Sequence, residues 1–216
     1  MLLDIINFLD VLAPLAALLF FPGRKNRQLG EHIFIVLYLC TQLAFNALAK
    51  YWMYVYVGQP NCFIYQINGC VSMVVLSAYF SVKYLRTITK PAHRIIFLCS
   101  AGAAILMLAL LVSFENNKVF TSQSYGFIAL IINAYSVMFY YQKLRNQVIE
   151  HITSTRSFWF ISGLFIYYSG SFFIFLTYKV FTITANQHFS ILWSVHNIIL
   201  FIMCILMSKG FLCRSR

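Results

Sequence analysis

The stretch FSILWSVHNIILFIMCILMS, Phe189 to Ser208, decides the fold. It holds no Asp, Glu, Lys or Arg. As a helix it is ~30 Å long, the thickness of the hydrocarbon layer of a bilayer. A backbone crossing that layer must satisfy its own N–H and C=O groups, which a helix does within itself. The segment therefore reads as a membrane-spanning helix.

The rest of the chain has the same character. Of its 216 residues 61% are hydrophobic and only 10% charged, and the mean hydropathy is +0.78. Soluble domains carry about 25% charged residues, so this chain has too few charges to cover a surface facing water. Lipid is its solvent. Six or more apolar stretches of about 18 or more residues place it among integral, multi-pass membrane proteins. We divide it into seven spans: Leu2 to Phe21, Ile33 to Val57, Cys62 to Leu85, Ile95 to Phe114, Tyr125 to Gln142, Phe158 to Tyr178 and Phe189 to Ser208. Short loops make consecutive spans antiparallel neighbours. The expected fold is an all-α, up-and-down bundle of seven transmembrane helices in a single domain, residues 1–216. The N-terminus has no positively charged segment ahead of its apolar run and no small-residue cleavage site, so it reads as a first membrane helix rather than a signal peptide.

Orientation follows from charge. The first, third and fifth loops carry Arg24, Lys25, Arg27, Arg86, Lys90, Arg94, Lys143, Arg145 and Arg156, and the tail adds Lys209, Arg214 and Arg216. The second, fourth and sixth loops hold only Lys118 and Lys179. By the positive-inside rule the N-terminus is outside and the C-terminus inside. The net charge of +11 is thus a property of inner loops, and no basic patch interleaved with exposed aromatics points to nucleic acid. The loop KLRNQVIEHITSTR reads as a solvated loop, with a short amphipathic helix as the alternative. Tyr and Trp near span ends, Tyr125, Tyr140 and Trp159 among them, suit interfacial belts.

Cys40, Cys62, Cys70, Cys99, Cys204 and Cys213 show no CxxC or Cys/His spacing, so neither a disulfide framework nor a metal site is indicated. There is no HExxH, no GxSxG and no Gly-rich phosphate loop. We expect no catalytic residues, no metal and no cofactor.

What chemistry the sequence does suggest lies in polar groups at membrane depth, which are expensive there and usually face a partner or a cavity. In CTQLAFNALAKYW, Cys40 to Trp52, Gln42, Asn46 and Lys50 recur every four residues and form one polar stripe on a helix. Counting ~1.5 Å per residue from the outer end of each span, Asp10, Lys50 and His196 all fall roughly 10–12 Å below the boundary. Gln66 and Asn68 lie slightly nearer the surface and Asn46 somewhat deeper. On the last span Trp193, His196 and Asn197 share a wall. These eight residues are the expected lining of an outward-facing pocket for a small polar ligand, with Lys50 paired to Asp10. Each has a plainer role to weigh against that. Lys50 can snorkel to headgroups, Asp10 can sit in water, and His196 and the amides can serve as interhelical hydrogen bonds. Ser162, Gly163, Ser169 and Gly170 let a neighbouring helix approach closely.

Seven helices with an outer N-terminus are also the layout of microbial rhodopsins, G-protein-coupled receptors and SWEET-type sugar transporters. The last span has no lysine, which excludes retinal. It has no proline, and the third span ends FSVKYLR, so the receptor motifs are absent. Pro14 is the only proline within a span, so the paired-repeat prolines are absent too. In compact layout, and in the terminal pattern LWSVHNIILFIM, the chain resembles small seven-helix membrane proteins of bacteria, including the seven-helix sensory modules attached to some histidine kinases. That resemblance implies a receptor-like or sensory role, and it carries no functional residue over. The expected partners are the lipid bilayer, a small-molecule ligand and a cytoplasmic protein at the basic inner loops. A small transporter using the same pocket is the alternative reading, and an intramembrane hydrolase built on Asp10 and His196 the third. Richness in Ile, Phe, Tyr and Asn fits an AT-rich bacterial gene and a bacterial cytoplasmic membrane.

Overall fold

Gln42 on one helix meets Asn68 and Ser72 on the next, and Asn7 and Asp10 meet Lys50 and Asn46. Such pairings fix how the helices run. The structure is a computed structural model. It describes residues 2–21, 29–57, 61–87, 122–145, 152–184 and 189–213, with eight separate positions between 95 and 113. Six long helices result: α1 (Leu2–Leu19), α2 (Leu29–Val55), α3 (Cys62–Thr87), α4 (Ser122–Arg145), α5 (Arg156–Thr184) and α6 (Phe189–Leu212). A single 3-10 turn, Ile152–Ser154, precedes α5. No strand occurs among the described residues.

The helices outrun most of the apolar spans, α5 by two residues at its start and six at its end. Apolarity stops where the hydrocarbon stops, whereas helical hydrogen bonding needs only suitable residues to continue. Five of the helices, α2 to α6, are long and apolar enough to cross a membrane, and α1 contributes the shorter apolar segment Ile6–Leu19. Most of the expected fourth span, Ile95 to Phe114, lies outside the described residues, and so do the basic positions Arg24, Lys25, Arg27, Lys90, Arg94, Arg214 and Arg216. The positions described within that span, Ala101 and Ser113 among them, are helical.

Each of α2, α3, α5 and α6 packs antiparallel to the helix before it, and α6 returns to lie against α1. Asn197 on α6 donates to the Ile6 carbonyl at one end of this contact, and Phe211 packs on Phe21 at the other. α1 and α6 are therefore parallel. So are α3 and α4, where Tyr65 meets Tyr125, Gly69 meets Ile128 and Phe80 meets Tyr135 in that order. The six helices form a closed ring. We call the end where α1, α3, α4 and α6 begin the upper end.

Close approach of α5 and α6 depends on glycine. A Cβ on Gly170 would stand 2.7 Å from Ile199 Cδ1, and one on Gly163 would stand 3.1 Å from the Met203 carbonyl. The serines of the same group face α4 instead: Ser162 bonds Tyr140 at 2.7 Å and Ser169 donates to Asn133 at 3.1 Å. Tyr140 thus ties two helices together rather than serving only as a belt residue. The lower half is closely packed and aromatic. His32, Phe160 and Phe211 stack edge to face, and Gly210 leaves room for Phe160 alone. At its base Arg156 donates to His32 Nε2 at 2.8 Å and to the Cys213 carbonyl, while Lys209 covers the Trp159 ring.

Candidate functional site

Pro14 organises the upper half of α1. It lacks the N–H that the Asp10 carbonyl would otherwise accept four residues back, and in a membrane that carbonyl needs another donor. Asn46 Nδ2 on α2 supplies it at 3.0 Å. One turn further along the same stripe, Lys50 reaches the Asn7 carbonyl and brings its ammonium to 3.2 Å from Asp10 Oδ1. Lys50 also lies 5.0 Å from the Phe8 ring centroid. The pairing expected from the stripe is present, and the Lys50 side chain keeps 26% exposure toward the upper end while Asp10 is 4% exposed.

The stripe's third member, Gln42, turns to α3. Its amide exchanges hydrogen bonds with Asn68, at 3.2 and 3.3 Å, and donates to Ser72 at 2.8 Å. On α6, Asn197 is fully buried, with Nδ2 on the Ile6 carbonyl at 3.2 Å. His196 is held by α5 through both ring nitrogens, Nε2 with Tyr167 at 3.2 Å and Nδ1 with Ser171 at 3.1 Å.

These groups surround a cavity of about 30 Å³, room for two or so water molecules. All six described helices contribute to its wall: Asp10 from α1, Gln42 and Asn46 from α2, Asn68 and Ser72 from α3, Tyr125 and Ile128 from α4, Tyr167 and Phe175 from α5, and Trp193, His196 and Asn197 from α6. Aromatic rings make up much of the wall. Tyr65 packs edge-on to Trp193 at 5.3 Å between centroids, and Tyr125 lies 4.9 Å from Phe175.

Of the eight residues expected here, Asp10, Asn46, Asn68, Trp193, His196 and Asn197 line the cavity. Lys50 stands at its edge on Asp10. Gln66 is buried but lies away from the cavity, because two residues on a helix turn the side chain ~200° from the face Asn68 presents. Gln42 and Tyr167, read from sequence only as deeper polar groups, belong to the lining. Tyr125, expected in an interfacial belt, instead donates to the Tyr65 carbonyl inside the bundle. Pro14 was the available signal for the Asn46 contact, because a proline within a helix announces a carbonyl in need of a donor.

Neither oxygen of Asp10 nor Asn197 Oδ1 finds a hydrogen bond of good geometry among the described residues. No three His, Cys, Asp or Glu side chains among the described residues converge as metal ligands would. No protein-family model, curated protein or solved structure matches this chain.

Proposed function

We propose that this chain is a receptor-like, sensory membrane protein of seven transmembrane helices, with its N-terminus outside and its C-terminus inside a bacterial cytoplasmic membrane. A small ligand binds in the upper cavity, and a cytoplasmic protein at the basic inner loops receives the signal. The observation that carries this reading is the cavity wall. A ligand that touches six helices at once biases their relative positions, which is what a sensor without an output domain of its own requires.

Other features support it. The parallel run of α3 and α4 calls for a return crossing between them, and the fourth span supplies the residues for one. The six described helices are uninterrupted, even at Pro14, whereas alternating access ordinarily leaves broken helices at the binding site. Both His196 nitrogens are bonded to α5, which leaves neither to activate water for hydrolysis.

The test is a thermal-unfolding screen of the protein in lipid nanodiscs against small amines, amino acids and sugars. A parallel measurement follows uptake of any binder into proteoliposomes. Stabilisation by one chemical class, lost in Asp10→Asn and without uptake, is the expected result. Uptake of the stabilising solute makes the protein a transporter, and no stabilisation by any class removes the pocket reading.

A further inference from the structure

Hydrogen-bond accounting around the cavity says what kind of ligand it accepts. The amide nitrogens of its wall each donate at least one bond: Asn46 and Asn197 to backbone carbonyls, Asn68 to Gln42 Oε1, and Gln42 to Asn68 Oδ1 and Ser72 Oγ. Because a backbone carbonyl accepts only from N–H or O–H, these contacts fix which end of Asn46 and of Asn197 is the NH₂. Three tyrosine hydroxyls of the wall are engaged as well, Tyr125 on the Tyr65 carbonyl, Tyr167 on His196 and Tyr168 with Tyr38. Two acceptor oxygens of the wall stay open. Asp10 Oδ2 and Asn197 Oδ1 border the same cavity without a hydrogen bond, Asp10 being 3% exposed and Asn197 fully buried, while Asp10 Oδ1 has the Lys50 ammonium at 3.2 Å. An anion would meet the buried Asp10 carboxylate, which repels it. A species that only donates and carries positive charge meets a carboxylate, an amide oxygen and the rings of Tyr65, Tyr125, Phe175 and Trp193, which attract cations through their faces.

The chain already recognises one such group, its own. The Lys50 ammonium sits on the Asp10 carboxylate, the Asn7 carbonyl and the face of Phe8: carboxylate, carbonyl oxygen and aromatic ring. With Lys50 present the carboxylate is neutralised, so a second cation entering the cavity competes for it. Lys50 can yield, since it lies about five residues, ~8 Å, from the upper end of α2 and already keeps partial exposure.

We propose that the cavity binds a small ammonium cation, ammonium itself or a primary alkylammonium of one or two carbons, on Asp10 and Asn197, and that this cation displaces Lys50. The inference rests on the pocket reading above and names its ligand class. Displacement frees Lys50 from Asn7 and Asp10 together, so two of the ties between α1 and α2 open when the site fills. Occupancy is thereby converted into a change at one helix pair. The inward-paired and outward-reaching positions of Lys50, alternatives in the sequence, become the two positions of a switch.

The experiment measures unfolding temperature and ligand affinity of the nanodisc-embedded protein with methylammonium chloride, at constant ionic strength against sodium and potassium chloride. Methylammonium is expected to stabilise and the alkali cations not to. Asp10→Asn, close to isosteric, abolishes the effect. Lys50→Met removes the competitor and tightens binding by about tenfold. Lys50→Gln, which keeps a polar tip for the Asn7 carbonyl, serves as a second variant if Lys50→Met does not fold. Equal stabilisation by sodium overturns the ammonium assignment in favour of a metal-cation site, and affinity unchanged in the folded Lys50 variant overturns displacement. If amines fail while amino acids or sugars bind through Asp10, the ammonium inference falls and the pocket reading stands.

Discussion

The two halves of this bundle are built on opposite terms. Below, Tyr38, Phe80, Phe160, Ile161, Met207 and Phe211 are buried in close aromatic and aliphatic packing with His32 among the rings, and Gly210 is small because Phe160 lies against it. Above, Asp10, Gln42, Asn46, Asn68, His196 and Asn197 occupy the same kind of interior position around a cavity. Between helices in lipid there is no hydrophobic driving force, so association rests on packing and interhelical hydrogen bonds. The lower half relies mainly on the first, with hydrogen bonds such as Tyr140–Ser162 and Arg156–His32 added, and the upper half mainly on the second. The difference teaches that the upper half has forgone close packing for polar groups around a cavity, the feature on which the proposed ligand site rests.

The largest expected contrast tests that directly. Leu164→Ala and Leu200→Ala delete the same atoms from buried sites on α5 and α6, but only Leu200 borders the cavity. Leu164→Ala should cost on the order of 3 kcal/mol and Leu200→Ala roughly half, since its side chain has fewer neighbours to lose. Equilibrium unfolding in mixed micelles gives both values, and equal costs would break the comparison.

A smaller contrast uses glycine. A Cβ at Gly210 meets the Phe160 ring at 2.6 Å, and one at Gly69 meets Ile128 Cδ1 at 3.0 Å. Gly210→Ala should destabilise by about 1–3 kcal/mol because the ring has nowhere to go. Gly69→Ala should be neutral or stabilising by up to about 1 kcal/mol, as Ile128 can swing its tip toward the cavity while the helix gains a better former. The same unfolding assay decides.

Next comes the contact that Pro14 creates. Asn46→Ala strands the Asp10 carbonyl in the parent chain but not in Pro14→Ala, where the restored N–H serves it. A double-mutant cycle on these positions should show a coupling of about 1 kcal/mol, within the range for hydrogen bonds between membrane helices. Strict additivity would mean that Asn46 does not act through that carbonyl. The smallest effect is Tyr167→Phe, which removes one of the two partners of His196 and should cost about 0.6 kcal/mol. A larger loss would show His196 to matter beyond joining α5 to α6.

Depth was legible in the sequence because it is linear arithmetic: rise per residue from a helix end brings Asp10, Lys50 and His196 to one level. The helices themselves were legible because apolar length sets them. Rotation about each axis was not. A helix in lipid is apolar all round, so nothing in Asn68 or Gln66 says which of them faces the cavity. The same holds for Tyr125 and Tyr65, whose place near helix ends is equally well explained by the interface. Only the neighbouring helix settles such cases, and that information is distributed over the whole ring. Lys50 and Asp10 were readable as a pair because opposite charges in a low dielectric have few other ways to exist.

The closing contact of the ring joins Ile6 to Asn197, 191 residues apart. During synthesis at about 5–20 residues per second, α6 emerges some 10–40 s after α1. For that interval Asp10 is in place while one wall of its cavity is still missing. Lys50 arrives much earlier, on the very next helix. The α1–α2 hairpin therefore contains both charges of the pair, and the carboxylate has its counter-charge without waiting for the last helix.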